Sequence, residues 1–291
     1  MINYNLLTRV GGTHLSATNQ ATTMLIHIGF DLRFTIPEPT TLFLLLHTYP
    51  GRYVMRKEEK LQVEPDCAVE IFRDQFGNSC TRFLATAGKL ILTNDAIVEV
   101  DGKPDAVNQS AEQHALIDLP HETLPFLYSS RYCEVDRLEE FAWKEFGSIP
   151  AGYERVQAIC DFVHKQIEFG YGFANCSKSA FDAFSERKGV CRDFAHLAIT
   201  LCRCMGIPAR YATGYLGDIG VPLCPPMDFS AWFEVYLSNA WHTFDARHNK
   251  PRIGRIVMAY GRDAADCALS TTFAPTTLDH FFVVTDEIQE A

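Results

Sequence analysis

The stretch KGVCRDFAHLAITLCRCMGIPARYATGY, residues 188–215, is the most informative part of this 291-residue chain. After its first residues it becomes almost wholly apolar, which predicts a buried helix over residues 190–205. Gly206, followed two residues later by Pro208, is typical of a helix end. Cys191 therefore falls in the first turn of a buried helix.

A cysteine at a helix start lies beside unpaired backbone N–H groups and the positive end of the helix dipole. Both favour the thiolate, the nucleophilic form of cysteine, so we expect Cys191 to be a thiolate nucleophile. The other nine of the ten cysteines are interpreted mainly as small buried hydrophobic residues. Asp193 is expected to cap the first turn rather than to take part in catalysis. His196 is predicted to be a buried structural histidine.

The rest of the pattern predicts an α+β protein of two domains after a loose N-terminal extension, residues 1–23. Residues 24–125 alternate β-rich segments with turn signals, which indicates an N-terminal antiparallel β-sandwich. Residues 126–291 begin with two segments of helical periodicity and return to strands after Pro208. This second domain contains the cysteine and its helix.

Composition excludes several classes of partner. The chain has 26 basic and 36 acidic residues, a net charge of −10, and no basic run that could bind nucleic acid. No apolar stretch approaches the roughly 20 residues of a membrane helix. The N-terminus has no secretory signal, so we expect a cytoplasmic protein with free thiols. No metal site is expected, because Cys202 and Cys204, the one close pair, point apart on a helix.

Three blocks of the second half are similar to a known family: GVCRDFAHL, GIPARYATGY, and AWFEVYL followed by WHTFDARHN. Together they resemble the transglutaminase-like superfamily, in its bacterial branch of candidate cysteine proteases. Residues 74–100 resemble the β-rich N-terminal domain of that branch. The resemblance implies a papain-like, transglutaminase-like core, a peptide or protein substrate and no cofactor. The sequence itself gives no indication of the oligomeric state.

The resemblance also implies a Cys-His-Asp triad that attacks an amide through a thioester. Cys191 matches the nucleophile and Asp245 matches the acid that orients the imidazole. Ser230 stands where the family has the histidine. Serine cannot accept and return a proton near neutral pH, so the base must come from elsewhere.

His248 is the candidate replacement, and the hairpin register decides whether it reaches the site. A three-residue turn that pairs Leu237 with Trp241 would place Ser230 opposite His248. A two-residue turn would place Ser230 opposite Asn249 and turn His248 to the other face. The sequence leaves both registers open.

Two aromatic residues complete the set of candidates. Tyr171 is a candidate second oxyanion donor beside the backbone N–H of Cys191. Trp232 could wall the substrate cleft, although cross-strand packing would explain it equally well. His164, on an amphipathic helix, is expected to face solvent.

The favoured function is thiol-dependent acyl transfer, with hydrolysis preferred over transfer to an amine. The alternative is a catalytically silent relative whose cleft binds a peptide or protein partner. A third hypothesis treats the chain as an interaction module led by its β-rich half.

Overall fold

A computed structural model describes residues 23–288, so the predicted extension, residues 1–23, lies outside the described residues except for Thr23. The N-terminal part contains strands only, apart from short 3₁₀ turns after them, as its alternating pattern predicts. They are β1 (Met24–Ile36), β2 (Thr40–Leu44), β3 (Val54–Lys57), β4 (Gln62–Glu64), β5 (Glu70–Arg73), β6 (Ser79–Ala85) and β7 (Gly88–Val100).

The second part mixes helices and strands. Its helices and the strands between them are α1 (Val135–Phe146), α2 (Tyr153–Gln166), β8 (Glu168–Phe169), α3 (Ala180–Glu186), β9 (Lys188–Gly189) and α4 (Cys191–Cys204). The later strands are β10 (Ala209–Tyr215), β11 (Phe229–Leu237), β12 (Ala240–Phe244), β13 (Ile256–Gly261), β14 (Ser270–Thr272) and β15 (Thr277–Ile288). This arrangement confirms the predicted α+β class. None of the helices within residues 23–288 is long and apolar enough to cross a bilayer.

The N-terminal strands form two antiparallel sheets around one hydrophobic core. One sheet has the order β15-β1-β7-β3, with β4 also paired to β7, and the other has the order β14-β2-β6-β5. Ile28 of β1 and Leu42 of β2 are both fully buried in the common core. The last two strands, residues 270–288, pair with β2 and β1 rather than with the second domain to which the sequence assigned them.

A third antiparallel sheet, β12-β11-β10-β13, positions the cysteine helix. Helix α4 packs on β10 and β11 and is surrounded by α1, α2 and α3. Every residue of α4 from Asp193 to Cys204 is buried. An apolar sequence on all faces of a helix is stable only under such complete cover, which is why this stretch could be recognised as a buried helix.

The hairpin between β11 and β12 has a register that the sequence did not predict. Leu237 pairs with Ala240 across the two-residue turn of Ser238 and Asn239, whose φ angles are 45° and 61°. This positive-φ turn type matches the twist of the flanking strands. Since β12 ends at Phe244, the residues after it form a turn instead of continuing the ladder.

Both predicted registers of Ser230 are therefore wrong. Ser230 has its strand partner, Gly214, on β10 and none on β12. His248 lies in the turn that follows β12, so it reaches the neighbourhood of Ser230 by a different route from the one the sequence suggested.

Gly214 is a sensitive point of this sheet. A Cβ added there would lie 2.0 Å from the Ile256 carbonyl oxygen, where β10 and β13 shift register. We expect Gly214→Ala to lower the free energy of unfolding in urea by about 1–3 kcal/mol through overpacking. Gly172→Ala is the control, since its Cβ would meet nothing within 4 Å. Equal stability of the two variants would contradict this close approach.

Candidate active site

Cys191 is the first residue of α4, and its helix start is fixed by a buried carboxylate. Asp193 Oδ2 accepts the backbone N–H of Val190 at 2.8 Å, which confirms the predicted capping role. Gly189 passes so close that a Cβ on it would lie 2.6 Å from the Asp193 Cβ. A glycine at position 189, two residues before the cysteine, is thus needed for the turn that presents the thiol.

The half-buried Cys191 lines a cavity of about 250 Å³. The cavity brings together four of the six residues singled out from the sequence: Cys191, Ser230, His248 and Tyr171. Arg247 and residues from the segment 216–228 complete its wall. Asp245 lies just behind the wall and Trp232 lies elsewhere.

The Cys191 thiol is not a resting thiolate. Burial raises its pKa to about 11, although the charge of Arg247 and the N–H of Ala231 act in the opposite direction. The sequence predicted a thiolate from the helix start alone, and that prediction is wrong for the unliganded protein because desolvation outweighs the nearby donors. A base is therefore needed to take the proton when the sulfur reacts.

Asp245 begins the turn after β12 and organises it. Its Oδ1 accepts the backbone N–H groups of Arg247 and His248, each at 2.9 Å. Its Oδ2 lies 2.8 Å from Nδ1 of the His248 ring. One carboxylate thus holds both the backbone and the imidazole of His248, which is the geometry of an acid that orients a base.

Arg255 lies on the far side of Asp245. Its Nη2 donates to Asp245 Oδ2 at 2.8 Å, and its Nε donates to Asp105 at 2.8 Å. Burial alone would raise the pKa of Asp245, but the charge of Arg255 and the hydrogen bonds from His248 hold it well below its ordinary value. Asp245 is therefore ionised and ready to accept from the imidazole.

Trp232 does not wall the cleft of Cys191. It is 1% exposed and packs with Ala212, Val257 and Tyr260. Its ring lies 5.0 Å below the guanidinium carbon of Arg255. The packing alternative is the observed one, and Trp232 supports the arginine that pairs with Asp245.

Ser230 and Tyr171 line the cavity without contacting Asp245. The hydroxyl of Ser230 is buried and, within residues 23–288, has no hydrogen-bond partner. Tyr171 is 43% exposed and its hydroxyl donates to the Pro226 carbonyl at 3.4 Å. Both hydroxyls belong to residues that line the cavity.

Two other histidines have structural roles. His164 is exposed, as predicted, but its Nδ1 donates to the Arg247 carbonyl at 2.9 Å and so secures the turn that carries His248. His196 is fully buried, and its Nε2 accepts from Ala264 N–H at 3.1 Å. Burial lowers its pKa well below the ordinary value, which fits the predicted structural role.

Sequence reasoning missed Arg255, the turn contact of His164 and the charged residues around the cavity. No local pattern distinguishes Arg255 from a surface arginine, because its two partners are Asp245 and the distant Asp105. Among residues 23–288 the structure shows no group of three His, Cys, Asp or Glu side chains placed to hold a metal ion.

Comparison with known proteins agrees with this architecture. Residues 142–246 match the family described as "Transglutaminase-like superfamily". A crystal structure from Cytophaga hutchinsonii, named a "Putative Cysteine Protease", has a TM-score of 0.83 and 35% sequence identity and covers 93% of this chain and 92% of its own. The chain belongs to the transglutaminase-like superfamily. The predicted resemblance and the papain-like core of this transglutaminase-like protein are thereby confirmed.

Two mycobacterial relatives are more distant. An uncharacterised protein of Mycobacterium leprae is 26% identical over 204 residues, covering 67% of this chain and 72% of its own length. An uncharacterised protein of Mycobacterium tuberculosis is 27% identical over 214 residues, covering 67% and 68%. The family and fold of this transglutaminase-like protein fit thiol-based acyl transfer in general.

The buried Arg255 pair leads to a stability prediction. Arg255→Met should lower the free energy of unfolding by about 3 kcal/mol, because it leaves the buried Asp245 and the partly buried Asp105 without their cation. As a control, Lys57→Met breaks the exposed ion pair with Asp95. It should change the free energy of unfolding by less than about 1 kcal/mol. Urea unfolding at neutral pH compares the two, and similar losses would contradict the structural weight given to Arg255.

The pH dependence of that stability follows from Asp245. Because its pKa is lowered on folding, its contribution is present above the ordinary carboxyl pKa of about 3.9 and is lost as the pH falls below it. The difference in unfolding free energy between wild type and Asp245→Asn, measured by urea unfolding, should shrink as the pH falls from about 5 to below about 4.

The buried thiol predicts how Cys191 reacts. The logarithm of its iodoacetamide labelling rate should rise with a slope of about one per pH unit from about pH 6 to about pH 9.5, because a thiol of pKa about 11 is mostly protonated throughout. Mass spectrometry of the labelled peptide gives the rate, with exposed Cys176 as an internal reference. A plateau near neutral pH would show a resting thiolate instead.

Proposed function

We propose that this protein is a thiol-dependent amide hydrolase in which Cys191 is the nucleophile and His248 is the general base. The observation that carries the proposal is the His248 Nδ1 to Asp245 Oδ2 contact of 2.8 Å, made by an imidazole that lines the same cavity as the thiol. The turn after β12 supplies the histidine that position 230 lacks.

The tautomer of His248 follows from its neighbour. An ionised Asp245 can only accept hydrogen bonds, so Nδ1 of His248 carries the proton and donates it. In the neutral ring, Nε2 is then the acceptor. General-base activation needs such an acceptor nitrogen, and His248 lines the same cavity as the Cys191 thiol.

The chemistry can be written with every proton placed. The Cys191 sulfur bonds to the amide carbon as its proton passes to His248 Nε2, and the carbonyl oxygen becomes an oxyanion. Nε2 then gives the proton to the amide nitrogen as the C–N bond breaks, which leaves a thioester. Water attacks the thioester by the same route, and its proton returns through Nε2 to the sulfur.

The helix start supplies a donor for the oxyanion. The N–H groups of the first helical turn have no partner within the helix, so the backbone N–H of Cys191 is placed to stabilise negative charge on the carbonyl oxygen. We assign the Tyr171 hydroxyl, at the rim of the cavity, as the second donor.

Ser230 is assigned a supporting part in this mechanism. A hydroxyl can donate and accept hydrogen bonds but cannot serve as a base near neutral pH. Its buried, unpartnered oxygen fits a contact with the bound substrate. Removing it should weaken substrate binding and leave proton transfer to His248.

A protein or peptide substrate and a reducing compartment complete the proposal. The protease-like fold is consistent with a protein substrate. All ten cysteines lie among the described residues and are free thiols, two of them exposed. Exposed free thiols persist in a reducing environment, which supports the cytoplasm.

Replacing His248 tests the base assignment. We expect His248→Asn to lower kcat/KM for a peptide amide by about 10²- to 10⁴-fold, the usual contribution of general acid–base catalysis. His242→Asn is the matched control, because that ring bonds to the Leu237 carbonyl at 3.1 Å and lines a different cavity. Its kcat/KM should stay within about twofold of wild type.

Two outcomes would contradict the proposal. An undiminished rate in His248→Asn would remove His248 as the base. A wild-type protein that binds peptides but never releases product would favour the silent relative, which the raised pKa of the resting Cys191 thiol also fits. Mass spectrometry for acyl-Cys191 distinguishes a slow enzyme from a silent one.

A further inference from the structure

Two opposite charges line the cavity of Cys191 and have no part in the mechanism above: Arg247 and Asp228. Among residues 23–288, neither has an oppositely charged side chain within 4 Å. Arg252 and Asp218 also line the cavity, but they pair with each other at 3.2 Å. Lys250 also lines the cavity and has no ion pair among the described residues, but its side chain is exposed. The cavity therefore holds two unpaired cations, of which Arg247 is the more buried, and one unpaired anion.

Arg247 is held by contacts at both its backbone and its guanidinium. Its backbone N–H donates to Asp245 at 2.9 Å, and its carbonyl accepts from His164 at 2.9 Å. Its guanidinium carbon lies 3.7 Å from the ring centroid of Phe169, a stacked cation–π contact. A guanidinium fixed in this way loses little freedom when it binds a carboxylate, and its planar fork suits that group.

Asp228 lines the same cavity from the segment just before β11. Burial raises its pKa, against the N–H of Phe229 and the charge of Arg247. Ser230, two residues along the extended chain, is 5% exposed and has an unpartnered hydroxyl in the same cavity. A buried hydroxyl without a partner costs free energy unless a ligand satisfies it. Together, Asp228 and Ser230 offer acceptors for N–H groups.

We propose that Arg247 and Asp228 select a short peptide with free ends, with Arg247 binding its carboxylate and Asp228, together with Ser230, binding its ammonium group. In the smallest such substrate, a dipeptide, the two charges flank the single amide bond. The cavity of about 250 Å³ is smaller than the roughly 300–1,000 Å³ of common ligand pockets, which favours so small a ligand. The hydrolysis of that amide rests on the proposed function, whereas the two charged subsites do not.

Alkylation of Cys191 tests the subsites without any need for turnover. The probes are iodoacetate, iodoacetamide and 2-bromoethylamine, which are anionic, neutral and cationic. In each case the sulfur displaces the halide and its proton goes to solvent. Dividing each rate by the iodoacetamide rate of the same variant cancels changes in thiol acidity, and Cys176 in the same digest reports any unfolding.

Each charge should favour the alkylating reagent of opposite charge. Arg247→Gln should lower the iodoacetate to iodoacetamide ratio at Cys191 by about fivefold, the effect of one charge at a partly exposed site. Asp228→Asn should lower the bromoethylamine to iodoacetamide ratio by a similar factor. Arg247→Lys should restore most of the first ratio, and Lys144→Gln, exposed on α1, should leave both unchanged. Unchanged ratios in the Arg247 and Asp228 variants would overturn the proposal.

A second measurement separates the substrate class from the reaction. The wild type should hydrolyse alanyl-alanine at least about tenfold faster, in kcat/KM, than the same dipeptide acetylated and amidated at its ends. Equal cleavage of both would overturn the free-end selection and uphold the hydrolase. If the Arg247 and Asp228 variants show the expected changes in alkylation ratio but the wild type cleaves neither dipeptide, the charged subsites are upheld and the hydrolase is overturned.

Discussion

The buried carboxylate of Asp245 is the group on which the rest of the site depends. It accepts two backbone N–H groups, an imidazole nitrogen and a guanidinium, and its side chain is only 3% exposed. A carboxylate so deeply buried is stable only when its charge is compensated and its oxygens are hydrogen-bonded. Arg255 meets the first need, and the turn of Arg247 and His248 meets the second. The same bonds that stabilise the carboxylate therefore fix the imidazole.

In the proposed function, this arrangement supplies a base without a histidine at position 230. Within the family resemblance, that histidine stands on the strand that faces the nucleophile. Here Asp245 binds a histidine three residues further along its own turn, and Ser230 remains as a hydroxyl in the cavity. The acid and the base then come from one tight turn, so their relative geometry depends little on the pairing of β11 with β12. Trp232 contacts Arg255, and His164 bonds to the Arg247 carbonyl, so both support that turn.

The parts of the molecule that sequence could predict are those set by local pattern. The helix of Cys191, the cap by Asp193 and the β-rich first half all follow from short-range periodicity and residue type. The register of the hairpin between β11 and β12 could not be predicted in this way, because the positive-φ turn at Ser238 and Asn239 has no glycine to mark it. The role of Arg255 and the return of residues 270–288 to the first sheets depend on contacts distant in sequence. The protonation of Cys191 depends on burial, which no helix-start pattern measures.

The tautomer of His248 decides whether its ring can accept the proton of the Cys191 thiol. Nitrogen chemical shifts of ¹⁵N-labelled histidine, assigned by the resonances missing from His248→Asn, distinguish a neutral ring protonated on Nδ1 from one protonated on Nε2. We expect the Nδ1–H form in the wild type and its loss in Asp245→Asn. A wild-type His248 that carries its proton on Nε2 could not accept the thiol proton there, and this result would contradict its role as the base.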